Sequence, residues 1–131
     1  MKKLNFDTGM EEYKLPGGVL RFNAADPNVY VRFRDALQSL QQLEQDMSAQ
    51  LQKEGADFLE ILSRTDKAIK EKLGHVFGPG NDFDALVGGV NLLSAASDGK
   101  SVAEHLFASL EPVLVAGAKR CAQTQAARIS Q

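Results

Sequence analysis

His75, His105 and Cys121 are the side chains in this sequence best suited to metal ligation or nucleophilic chemistry. Zinc sites draw Cys and His ligands from short, paired spacings, and none occurs: Cys121 stands sixteen residues beyond His105, and His75 has no neighbour of either type. His75 instead suits the last turn of a helix, where its cationic form complements the carbonyl end of the dipole. Asp82 and Asp84 form a D-x-D, but Leu86, Val87 and Gly88 stand where a calcium loop needs oxygen ligands and a turn glycine. Acids at a helix N-terminus account for that pair. Pro16-Gly17-Gly18 and Gly78-Pro79-Gly80 lack the Lys-Ser/Thr that completes a phosphate loop, and no G-x-S-x-G is present to expose a nucleophile. Glu11 and Glu12 are neighbours in a strand, so their carboxylates point to opposite faces and cannot share a proton. The expectation is a non-enzymatic protein with no catalytic, cofactor or metal site.

The elements that would carry these residues begin with strands. Leu4 and Phe6, Tyr13 and Leu15, and Leu20 and Phe22 are each two apart, with turn residues at Asp7-Thr8-Gly9 and Pro16-Gly17-Gly18 between them. The spacing predicts a three-strand antiparallel meander over 3–22. A long amphipathic helix is expected over 27–54, capped by Asp26, opened by Pro27 and closed by Gly55. Its stripe is Tyr30, Phe33, Leu37, Leu40, Met47 and Leu51. A second helix over 57–77 carries Phe58, Leu62, Thr65, Ile69, Leu73 and Val76 inward, with Lys67, Lys70, Glu71 and Lys72 away from them. The short connection makes the two an antiparallel hairpin.

Residues 82–93 read as an irregular stretch or a short helix broken by Gly88-Gly89, which either covers the end of the core or docks another chain. Ser101-x-x-Glu104 is a capping box that starts a last helix over 101–122, kinked at Pro112, and 123–131 is expected to fray. The fold class expected is α+β, mainly α, in one domain over 1–131.

Net charge is −2, from 15 basic and 17 acidic residues that are spread out rather than clustered. That offers no positive stripe to a phosphate backbone, so nucleic acid is not an expected partner. One cysteine permits no internal disulfide and fits a reducing compartment. No export signal and no membrane span is expected, since no apolar run reaches the length a bilayer requires.

The hairpin Leu4 to Phe22, the Asn23 to Pro27 lead into the helix, GHVFGPG followed by Ala85-Leu86, and SDGKSV together resemble siphophage and prophage tail-module proteins. The likeness is to a tail assembly chaperone or a related minor tail component, over about residues 3 to 110. It implies a cytoplasmic protein of a bacterial host cell that holds the helical tape measure protein until tube subunits polymerise, with tape measure or tail tube protein as partner and homo-oligomers possible. The residues nominated for that contact are Tyr30, Phe33, Leu37 and Leu40 on the long helix, with Phe83, Leu86 and Val87 beside it. The alternatives are a structural tail or adaptor subunit of the virion and a helical-hairpin interaction module of a mobile element. An exported hairpin protein is disfavoured by the absence of tryptophan and hence of a W-x-G bend.

Overall fold

The structure, a computed structural model, describes residues 1–129. In chain order it contains β1 (Glu11–Leu15), β2 (Gly18–Phe22), α1 (Pro27–Leu51), α2 (Phe58–Phe77), α3 (Phe83–Leu86) and α4 (Val102–Ile129). The molecule is mainly helical, and among the described residues the one sheet has two antiparallel strands. The meander of three strands is therefore corrected to a hairpin, with Glu11 opposite Phe22 and Leu15 opposite Gly18.

Charge disfavours a third strand at this edge. Folding residues 1–6 back along β1 through a turn at 7–10 would set Phe6 opposite Glu11 and Lys3 opposite Lys14, and like charges facing across a ladder destabilise it. Instead the Asp7 carboxylate accepts from the Gly9 N–H at 2.7 Å, and the Asn23 side-chain amide donates to the Thr8 carbonyl at 3.0 Å. Gly9 sits at φ +74°, a conformation glycine adopts without strain. These contacts send the chain on past the end of the hairpin rather than back along it. Residues 1–10 have no regular structure, and Leu4 and Phe6 are 87% and 81% exposed.

The two sheet edges differ. Along β2, Asn81 supplies the partners a third strand would give: its side chain accepts from the Arg21 N–H at 3.0 Å and donates to the Arg21 carbonyl at 2.8 Å. The same amide also donates to the Phe77 carbonyl at 2.9 Å, tying the hairpin to the end of α2. The outer edge of β1 pairs with no strand among the described residues.

Asp26 caps α1 by accepting from Asn28 N–H at 2.9 Å, and Pro27 takes the first turn. Antiparallel packing with α2 is fixed at both ends, by Arg32 Nε donating to the Val76 carbonyl and by the Arg64 guanidinium donating to Gln50. α1 also packs on α4, while α3 bridges α2 and β2. Their common core holds Leu20, Phe22, Phe33, Leu73, Phe83 and Leu114, with Phe77 edge-on to Phe22 and Phe33. α4 approaches the loop before α1 so closely that a Cβ on Gly117 would lie 1.8 Å from the Ala24 carbonyl oxygen. α4 continues through Pro112 and on to Ile129, across most of the segment expected to fray; residues 130 and 131 lie outside the described residues. No helix among the described residues is long and apolar enough to cross a membrane.

Candidate functional site

An apolar groove of about 500 Å³ lies between β1 and the first half of α4. Tyr13, Leu15 and Pro16 form one wall. Val102, Leu106, Leu110 and Val113 form the other, at the three- and four-residue steps that bring side chains to one helix face. Phe22, Val87 and Val90 line it from below.

Each wall is fixed by a polar contact. The Gly17 N–H donates to the Leu86 carbonyl at 2.9 Å, and a Cβ there would stand 2.1 Å from the Ala85 oxygen, so the hairpin turn sits directly on α3. The helix wall is fastened where the N–H groups of Val102 and Ala103 donate to Ser94 and Leu92. Ser101 accepts from the Glu104 N–H at 3.1 Å, as its capping role requires. The floor depends on Lys70, which is buried rather than on the solvent side expected for it. Its ammonium donates to Asp66 at 2.9 Å, to Asp84 at 2.6 Å and to the Val90 carbonyl at 2.9 Å. The second oxygen of Asp66 accepts from the Leu92 N–H at 2.8 Å. Burial alone would lower the Lys70 pKa, but hydrogen bonds to Asp84 and Asp66 outweigh it, and the net direction is upward. The knot thus binds the glycine-broken segment, including Val87 and Val90, to α2.

Of the polar side chains lining the groove, Tyr13, His105 and Ser109 already have partners, while Lys14 stands exposed at its edge. His105 meets Asp98 at 2.9 Å, which holds the exposed Asp98 carboxyl below its ordinary range, with further help from the Lys100 N–H. Ser109 donates its hydroxyl to the His105 carbonyl, and Tyr13 donates to Glu11 at 2.9 Å. Partial burial and that contact with Glu11 both push the Tyr13 phenol upward. Ser109 and His105 are therefore not engaged with each other as nucleophile and base, and among the described residues no group of three His, Cys, Asp or Glu side chains could hold a metal ion. Cys121 is half-buried on α4 and unpaired with another cysteine. The arrangement can bury apolar side chains; it offers little to a reacting atom.

A second cleft of about 680 Å³ runs between α1 and α2, lined by Arg32, Asp35, Ser39, Glu71, Lys72 and His75 among others. Ala36, Leu43, Ala68 and Val76 line it as well, so charged and apolar side chains share its walls.

The nominated binding residues lie mostly elsewhere. Phe33, Leu40, Phe83, Leu86 and Val87 are buried by the chain's own packing, and Tyr30 and Leu37 are half-buried against the same core. Among the seven, Val87 alone lines the groove. Sequence periodicity marks an apolar stripe but not what covers it, and here α2 and α4 both pack on α1. Periodicity marks Leu106 and Leu110 as part of the last helix's apolar stripe without saying that they wall a groove, and it passes over Val113 as groove wall, Lys70 as floor clamp and Asn81 as edge cap. Asp66 and Lys70 at i, i+4 were a readable signal for the clamp; the others depend on contacts distant in sequence. Compared with known protein families, curated proteins and solved structures, the chain has no match.

Proposed function

We propose that this protein is a non-enzymatic assembly chaperone that holds an amphipathic segment of another polypeptide in the groove between β1 and α4. The single observation behind the reading is that groove, walled by Leu15, Leu106, Leu110 and Val113 and flanked by Tyr13, His105 and Ser109, whose polar groups already have partners. Aliphatic grooves of this kind accept the apolar face of a helix, burying anchors three and four residues apart. The tail-module setting, with the tape measure protein as client in a bacterial cytoplasm, comes from the resemblance of the hairpin and helix segments described above.

The reading is tested by co-expression with the tape measure protein and purification through a tag on either partner. Leu106→Asp with Val113→Asp removes the groove wall at half-buried positions, and should abolish co-purification while leaving a cooperative thermal transition. Undiminished capture by the double variant refutes the groove as the site. Finding the protein as a stoichiometric part of purified particles refutes the chaperone role and makes it a virion subunit.

A further inference from the structure

The residues before β1 are patterned to fit the groove of a second copy. Met1 to Phe6 make no hydrogen bond or ion pair with the rest of the described chain, yet Leu4 and Phe6 alternate as in a strand and stand almost fully in solvent. The outer edge of β1, beside the groove, is without a partner strand among the described residues. Laid parallel to β1 with Leu4 beside Tyr13, the arm sets Lys2 beside Glu11, Lys3 beside Glu12 and Phe6 beside Leu15. Two charge pairs and two apolar pairs match in one register. The alternation agrees too: Leu4 and Phe6 fall on the face of Tyr13 and Leu15, which is the groove face, and Lys3 falls with Glu12 on the other.

A chain cannot make this pairing with itself. Parallel neighbours need a crossover of a dozen or more residues, whereas only residues 7–10 separate the arm from β1, and Asp7, Thr8 and Asn23 hold that stretch running onward past the sheet. The antiparallel fold-back that four residues do permit opposes Lys3 to Lys14. We infer that residues 1–6 of one copy add as a parallel strand to β1 of another, placing Leu4 and Phe6 in its groove. The donor and acceptor surfaces differ, so the contact is heterologous and each copy can both give and receive. Glu11 and Glu12 make only exposed contacts, Glu11 to the Tyr13 hydroxyl at 2.9 Å and Arg120 at 3.8 Å and Glu12 to Arg21 at 3.1 Å, which pairing at the strand edge can share or replace. This deepens the groove reading, on which it rests, by naming the occupant when no client is bound.

Light scattering after size exclusion, with no client present, tests it. The wild-type chain should give masses that rise with concentration in multiples of 14.2 kDa. Deleting residues 1–6 leaves an acceptor only, and Glu11→Lys with Glu12→Lys leaves a donor only; each should run as a monomer with a cooperative thermal transition, at an unchanged melting temperature for the deletion and a lower one for the double variant, whose new cation at position 12 faces Arg21 across the hairpin. Mixed, the first supplies β1 and the second supplies an arm, and they should form a 1:1 pair and nothing larger. A wild-type chain that stays monomeric at millimolar concentration overturns the inference, as does a mixture that fails to pair. Either result leaves client capture by the groove standing, because capture is read in a separate experiment with the tape measure protein.

Discussion

Replacing Gly117 by alanine tests the packing that sets the helix wall of the groove. In an ordinary helix interior this change stabilises by about 1 kcal/mol, because glycine loses more backbone freedom on folding. At Gly117 the added Cβ would lie 1.8 Å from the Ala24 oxygen and 2.4 Å from its carbonyl carbon, both backbone atoms that no rotamer change can move. Overpacking in a rigid site costs about 1–3 kcal/mol, with backbone contacts toward the upper end. Set against the propensity gain, the net loss is about 1–2 kcal/mol, or about 4–8 °C in melting temperature for a chain of this size. Gly74 is the internal control. It is also helical, but a Cβ there meets only the Asn81 oxygen at 3.8 Å, an ordinary contact. Gly74→Ala should therefore raise the melting temperature while Gly117→Ala lowers it, both followed by circular dichroism. If both variants are stabilised, α4 does not press on the loop before α1 and the described wall is wrong.

Phe33→Ala should cost about 3–5 kcal/mol in urea unfolding, since a ring that is 3% exposed leaves a cavity between α1, α2 and α4; a loss under 1 kcal/mol would return Phe33 to the surface. Asn81→Leu keeps the volume but takes the side-chain partner from the part-buried Arg21 N–H and carbonyl and from the buried Phe77 carbonyl, at about 1–3 kcal/mol in all. Amide exchange at Arg21 should accelerate in that variant, and unaltered exchange would refute the edge cap. Lys70→Met leaves Asp66 buried and unpaired and should destabilise by about 3 kcal/mol. Because the folded-state pKa of Lys70 is raised, its contribution is complete below the ordinary lysine value of about 10.4 and is lost as pH rises through the higher folded value. Melting temperature should accordingly fall in that alkaline range for the wild-type chain, and Lys70→Met should lack this component.

Local signals carried the helices well. Asp26-Pro27, Asp82 and Ser101 each cap the helix that their residue types announce, because a cap is decided within three or four residues. Pro16-Gly17 likewise places the hairpin turn between Leu15 and Gly18. The strand at Leu4 and Phe6 failed because alternation records a preference for strand without saying which edge is available, and the facing charges at Lys3 and Lys14 disfavour the local one. The far end of α4 was open to a different reading: Gln, Ala and Arg are good helix formers, so 123–129 can stay helical with few apolar contacts. The groove was hidden for a stronger reason. Leu15 and Leu106 are ninety-one residues apart, and nothing in either segment's pattern specifies that they face each other across open space.

The groove's occupancy is read most directly by assigning the backbone amides and titrating in a synthetic amphipathic helix taken from the tape measure protein. The account predicts saturable shifts confined to Tyr13, Lys14 and Leu15 on β1 and to the non-proline residues from Val102 to Val113 on α4, weakened by Leu106→Asp. Shifts centred on Arg32, Glu71 and His75 in the cleft between α1 and α2, or none at all, would contradict it.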